Sequence, residues 1–286
     1  TKTFGGSNID VGHFVQQTND GGFIIAGYTR SFGTMSGRNV WLIKTDMFGN
    51  MLWNKTFGGN NDDEAYSVRQ TIDGGFILAG YTKSFGFGSN DFYIIKTDSN
   101  GNEQWVKFFG GAQDEEAYDI IQTSDGNYVA AGATSSFGSG GRDVWLIKIN
   151  NSGNEIWRRT LGGLSSDGAR SIQQSTDGGF IITGWTFSQG PGFVGNALLL
   201  KTDSLGNQLW SKAFGGSDVD RGLSVQQTSD GGYIFTGYTA SSGAGLDDLY
   251  LVKTDDAGNE VWSKTFGGSG RDYGNSVQQT LDGGYI

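Results

Sequence analysis

The chain has 286 residues, 36% of them hydrophobic and 13% aromatic, with 50 glycines, one proline and no cysteine. Its formal net charge of −10 disfavours nucleic acid and anionic lipid, whose phosphates are met by lysine and arginine. Without cysteine there are no disulfides, thiolate nucleophiles or cysteine-held zinc and iron–sulfur centres; no apolar run approaches the roughly 20 residues that span a bilayer.

The segment Phe-Gly-Gly returns at Phe4, Phe57, Phe109, Phe214 and Phe266, with Leu161 in place of Phe once, at a spacing of 52 or 53 residues. A period of this length means one supersecondary unit copied into an array. Units begin near residues 4, 57, 109, 161, 214 and 266, giving five full units and a partial one. The chain opens mid-unit at Thr1 and stops at Ile286 inside an expected strand, which reads as a portion of a longer polypeptide.

Residues 64–109 show what one unit contains. Glu64 to Thr71 alternates with period two and reads as a strand. Asp73-Gly74-Gly75 is a hairpin turn, followed by a denser apolar strand at Phe76–Thr82 that is expected to be buried on both faces. After a glycine-rich loop, Ser84 to Asn90, come a third strand at Asp91–Thr97, a turn at Asp98 to Asn102, and a fourth strand at Glu103–Phe109. Four antiparallel strands joined by hairpins and repeated every 52 residues or so predict an all-β fold, a β-propeller of four-stranded blades forming a single domain over 1–286. No segment has the 3.6-residue apolar period of a helical solenoid.

Phe266-Gly267-Gly268-Ser269-Gly270-Arg271-Asp272-Tyr273, with Leu281-Asp282-Gly283-Gly284-Tyr285-Ile286 after it, resembles the bacterial and archaeal β-propeller repeats called SBBP repeats. The resemblance runs through every unit. It implies a large secreted or surface-anchored prokaryotic protein, a seven-bladed ring and no shared catalytic residues. Six or seven blades are therefore expected in the intact protein. Ring closure would draw on both termini; alternatively, a terminal strand could pair with another molecule to give a homo-oligomer or filament.

Positions constant among the units are expected to build the fold. Trp53, Trp105, Trp157, Trp210 and Trp262 read as packing between adjacent blades rather than a sugar-binding column, since a repeated core contact requires identity in every blade. Gly27, Gly80, Gly132, Gly184 and Gly237 are assigned to close approach of a neighbouring sheet. Lys44, Lys96, Lys148, Lys201 and Lys253 pair with an acid or guard the outer strands. The turns Asp46 to Asn50, Asp98 to Asn102, Asp203 to Asn207 and Asp255 to Asn259 offer too few oxygens for calcium and read as side chain-to-backbone turns. No cofactor or metal is expected, and weakly bound calcium is not ruled out.

An acid stands four residues after each Gly-Gly: Asp10, Asp63, Glu115, Asp167, Asp220 and Asp272. It reads as a loop carboxylate accepting backbone N–H groups, or, more sharply, as an acidic ring at a channel mouth that attracts cations. The residues opening each first strand vary: His13, Tyr66, Tyr118, Arg170, Leu223 and Asn275. These, with the aromatic fourth loop (Trp185, Phe187, Phe193), form the candidate ligand or partner surface. His13, the one histidine, takes a position held by tyrosine in the next two units, which argues against a serine–histidine triad.

The expected function is a non-enzymatic structural or interaction module, extracellular or at the cell surface, with a protein or glycan partner, no nucleic acid and no membrane insertion. The alternatives are a carbohydrate-binding lectin and a polysaccharide lyase or glycosidase.

Overall fold

The computed structural model describes every residue except 34, 35, 192 and 193. It contains twenty antiparallel strands in five four-stranded sheets, strand following strand in chain order within each. The first sheet holds β1 (Asp10–Gln17), β2 (Phe23–Thr29), β3 (Asn39–Thr45) and β4 (Met51–Phe57). The second holds β5 (Asp63–Gln70), β6 (Phe76–Thr82), β7 (Asp91–Thr97) and β8 (Glu103–Phe109). The third holds β9 (Glu115–Gln122), β10 (Tyr128–Thr134), β11 (Asp143–Ile149) and β12 (Glu155–Leu161). The fourth holds β13 (Asp167–Gln174), β14 (Phe180–Thr186), β15 (Asn196–Thr202) and β16 (Gln208–Phe214). The fifth holds β17 (Asp220–Gln227), β18 (Tyr233–Thr239), β19 (Asp248–Thr254) and β20 (Glu260–Phe266). In the second sheet the three later strands fall on the expected residues, and β5 starts one residue earlier, at Asp63.

Two compact units divide the chain, 1–136 with 147–156 and 137–146 with 157–286. In each, the core comes chiefly from the second and third strands, as the unbroken apolar runs of those strands require, with first-strand residues such as Val68 and Val225 added. Ile24, Val40, Leu42, Val68, Leu78 and Ile95 close the first core, and Ile181, Leu199, Phe235 and Val252 the second. Outer strands such as β12 alternate between exposed and half-buried residues. Glycine is required at the turns, where Gly74 has φ of 81° and Gly101 of 75°, a region that strains any residue carrying a β-carbon.

The tryptophan column packs sheet on sheet, as its constancy implied. Trp53 meets Phe76 at 5.8 Å, Trp105 meets Tyr128 at 6.3 Å, Trp157 meets Phe180 at 6.2 Å and Trp210 meets Tyr233 at 5.9 Å between ring centroids. Glutamines near the ends of the first strands add a contact that sequence reading missed. Gln16 Oε1 accepts the Gln70 N–H at 2.8 Å, and Gln70 Oε1 accepts the Asn19 N–H at 2.8 Å. In the second unit Gln227 Oε1 accepts the Thr176 N–H at 2.9 Å. Each such bond joins residues about one repeat apart, and those to Asn19 and Thr176 spare a turn amide from going unpaired.

The lysine column is buried, and it pairs. Lys44, Lys96, Lys148, Lys201 and Lys253 reach the aspartate of the Asp-Gly-Gly or Asp-Gly-Asn turn (Asp20, Asp73, Asp125, Asp177, Asp230) at 2.7–2.9 Å. The Asp-x-x-Gly-Asn turns close on themselves: Asp98 Oδ1 accepts N–H groups from Asn100 and Asn102, both at 2.8 Å.

Candidate functional site

Every sheet carries one extra residue in its first strand, and that residue is the variable one. Pairing of β1 with β2 runs Gly12↔Gly27 and then Phe14↔Ala26, which leaves His13 without a partner in the ladder. The same step leaves out Tyr66, Tyr118, Arg170 and Leu223 in the four sheets that follow. A bulge re-aims the side chain of its extra residue and frees it from cross-strand matching. Variation at this one position therefore costs the sheet little. Asn275, the sixth member of the series, is exposed and follows the last strand.

The bulge also corrects the reading of the glycine column. The close neighbour is a carbonyl of the same sheet's first strand, not an adjacent sheet. A β-carbon at Gly80 would stand 1.8 Å from the Glu64 carbonyl oxygen, and one at Gly27 would stand 1.9 Å from that of Val11. Gly132, Gly184 and Gly237 repeat this at 2.0, 1.9 and 1.8 Å. The extra residue pushes the carbonyl before it across the strand, and only glycine leaves room.

In the first unit the bulge residues form a row of rings. His13 lies 5.1 Å from Tyr66 and 5.7 Å from Tyr28, and Tyr66 lies 5.2 Å from Tyr118 and 6.0 Å from Tyr81. Below the row sits Glu64, 3% exposed. It accepts the Tyr81 hydroxyl at 2.8 Å, pairs with the Arg38 guanidinium and lies 3.5 Å from His13 Nε2. Burial pushes the Glu64 carboxyl up, but hydrogen bonds from His13, Arg38 and Tyr81 outweigh it and hold the group below its ordinary value. Burial, and then the Glu64 charge, raise Tyr81. Glu64 is thus a fixed anion and Tyr81 a fixed donor. Arg38 stands 4.8 Å over the Tyr28 ring. Tyr118 donates its hydroxyl to Glu116, whose other oxygen takes the Asn90 amide at 2.8 Å.

The second unit presents arginines over aromatic rings. Trp185 crosses the strand above Gly168, where a β-carbon would lie 2.2 Å from the indole, so the glycine makes room for the ring. Arg170 stands 5.6 Å and Arg221 5.9 Å over Trp185, and Arg221 stands 4.9 Å over Phe187. Trp185, which lies in β14 rather than in the loop, is only 8% exposed and Phe187 is half-buried, so both rings lie under cations rather than facing solvent. Phe193 lies outside the described residues. Tyr238 and Tyr273 meet edge to face at 4.9 Å, and the Tyr273 hydroxyl donates to Asp247 at 2.9 Å.

The acidic column serves the loops. In all six positions the carboxylate accepts the N–H of the second glycine of Gly-Gly. The distances are 2.8 Å for Asp10, 2.8 Å for Asp63, 2.6 Å for Glu115, 2.9 Å for Asp167, 3.0 Å for Asp220 and 2.9 Å for Asp272. A serine two residues past the second strand adds its hydroxyl: Ser31, Ser84 and Ser188 at 2.7 Å and Ser241 at 2.8 Å. Glu115, one methylene longer, takes the Ser136 N–H at 3.0 Å instead. Asp63, Glu115 and Asp220 are 0% exposed, so their charge is directed at these donors. The described residues include no group of three or more His, Cys, Asp or Glu side chains placed to hold a metal ion.

The sheets place the chain in the class of β-propeller repeat proteins. Two solved structures share the fold. The WD40 domain of Pan2 from Neurospora crassa aligns with TM-score 0.55 at 12% identity, over 89% of this chain and 66% of that one. A protein of unknown function from Dyadobacter fermentans aligns with TM-score 0.53 at 13% identity, over 89% and 83%. At such identity the likeness speaks to fold alone. No family model matches. Among curated proteins, the regulatory protein FlaEY of Caulobacter vibrioides is 26% identical over 137 residues, which make up 41% of this chain and 14% of that protein.

Proposed function

We propose that this chain is a non-catalytic binding module, displayed outside the cell, that holds a protein or glycan partner through its bulge residues and the loops beside them. The observation that carries this reading is the coincidence of bulge and variability. His13, Tyr66, Tyr118, Arg170 and Leu223 are released from the ladder, whereas the repeated polar residues are engaged in clasps and turns. Aromatic rings and arginine are the side chains that dominate binding energy at interfaces. We further infer an SBBP-type propeller with six or seven blades. Supporting this, Trp262 meets Tyr285 at 5.8 Å and Gln226 accepts the Gln279 N–H at 2.7 Å, which repeats past Phe266 the contacts between earlier sheets.

A glycan array, with calorimetry on any hit, tests the reading. Tyr66→Ala with Tyr118→Ala, or Arg170→Ala with Arg221→Ala, is expected to weaken a binder at least tenfold, in line with loss of an interface anchor. Failure of all four substitutions to affect a confirmed binder would refute the site.

A second reading, a polysaccharide lyase or glycosidase, draws on Glu64, His13 and the surrounding tyrosines. It requires polysaccharide turnover that Glu64→Gln abolishes. Such turnover would displace the non-catalytic reading.

A further inference from the structure

The third strand of each sheet opens on Asn39, Asp91, Asp143, Asn196 or Asp248. All five are buried, at no more than 2% exposure. In three sheets this position places two acids against one glycine. A β-carbon at Gly110 would stand 1.8 Å from Asp91 Oδ1 and 2.8 Å from Glu115 Oε2. At Gly162 the distances are 2.0 Å to Asp143 Oδ1 and 2.8 Å to Asp167 Oδ2. At Gly267 they are 2.1 Å to Asp248 Oδ1 and 2.8 Å to Asp272 Oδ2.

The second oxygen of each aspartate is already satisfied by loop amides. Asp91 Oδ2 accepts N–H groups from Phe87 at 2.9 Å and Gly88 at 3.1 Å, Asp143 Oδ2 from Ser139 at 2.7 Å, and Asp248 Oδ2 from Ala244 at 2.9 Å and Gly245 at 3.1 Å. Asp91 Oδ1 is buried, has no hydrogen-bond donor and lies against the same glycine as Glu115 Oε2. Two carboxylates set against one glycine, with Asp91, Glu115, Asp143 and Asp167 all buried, oppose each other's ionisation. Retaining one proton makes the orphan oxygen a donor to its neighbour, in a strong O–H···O⁻ bond.

We propose that Asp91–Glu115 and Asp143–Asp167 are carboxyl–carboxylate pairs, each sharing one proton that fastens the loop after the second strand to the Gly-Gly segment. The first and fourth sheets carry an uncharged residue of the same shape here, Asn39 and Asn196, and Asn196 turns its amide to loop carbonyls at 2.9–3.3 Å. Burial first, and then the facing acid, raise Asp91 and Asp143 above the ordinary carboxylate range. Charged groups nearby are Glu116, held by Asn90 and Tyr118, and Arg142, next to Asp143 in the chain. A divalent cation would need six or more oxygens, whereas the groups turned toward these pairs include amide donors from Gly111 and Gly163.

A group whose folded pKa is raised stabilises the fold below its unfolded pKa, and the contribution is lost as pH rises through the folded value. Thermal unfolding of the full chain and of the double variant Asp91→Asn, Asp143→Asn tests this between about pH 4 and 8. The variant, neutral at these two positions at every pH, should gain on the native chain by about 2–4 °C or more as pH rises. Difference infrared spectra of the native chain should keep a protonated-carboxyl band where free carboxyls are ionised, and Asp91→Asn should diminish it. Absence of the band would overturn the proposal, as would a constant gap between the two melting curves. So would calcium raising the melting temperature of the native chain but not that of the variant, since that outcome assigns the pairs to a metal.

Discussion

Lys96 is 2% exposed, and its ammonium is held by Asp73 at 2.9 Å, by the Thr97 carbonyl at 2.9 Å and by Gln104 Oε1 at 3.2 Å. The Asp73 side chain is 56% exposed. The two ends of the pair therefore differ in what their loss leaves behind. Asp73→Ala strands a buried cation on two neutral acceptors. Breaking a fully buried pair costs about 3–5 kcal/mol, and water access on the aspartate side brings the expected loss to about 2–3 kcal/mol. Lys96→Met keeps the buried stem and lets Asp73 return to water, at a cost of about 1 kcal/mol or less. The double variant should recover most of what Asp73→Ala loses. Urea unfolding followed by tryptophan fluorescence measures all three. If Lys96→Met proved the more damaging substitution, or the double variant lost the sum of the singles, burial of the lysine would not be what makes the pair matter.

Gly80→Ala drives a β-carbon to 1.8 Å from a backbone carbonyl that the bulge holds in place, and should cost more than about 3 kcal/mol. Gly168→Ala meets the Trp185 ring at 2.2 Å instead; the ring can shift, so the expected cost is about 1–3 kcal/mol, with a change in fluorescence that Gly80→Ala lacks. Acid should undo the turns. Hydrogen bonds from Lys44 and then Thr18 bring Asp20 down to about 2, and those from Thr228 and then Lys253 do the same for Asp230. Folded pKa values below the unfolded one give stability that is present above about pH 4 and lost as pH falls toward 2. A urea midpoint that did not fall over that window would contradict the pairing.

The strands of the second sheet could be read almost to the residue, because period-two alternation and Asp-Gly-Gly turn chemistry act over a few neighbouring positions. The tryptophan packing was legible for a related reason, since a contact made in every unit leaves a column. The bulge was not. Nothing local in His13, Tyr66 or Arg170 marks an unpaired residue, and the glycine opposite, the trace it does leave, admits two explanations until the carbonyl is seen against it. Trp185 showed the same limit: its burial depends on Gly168, seventeen positions away, and on arginines from two different strands.

The sequence by itself determined the repeating sheet, its turns and the positions free to vary, since each follows from side-chain period and backbone propensity within a single unit. Tertiary structure decided what those positions are for. It alone brought Glu64 beneath the tyrosine row, joined glutamines one repeat apart, and set Asp91 against Glu115 across a glycine. Such contacts join residues distant in the chain, and their energies depend on burial and on separations of an ångström or two, which local pattern does not encode.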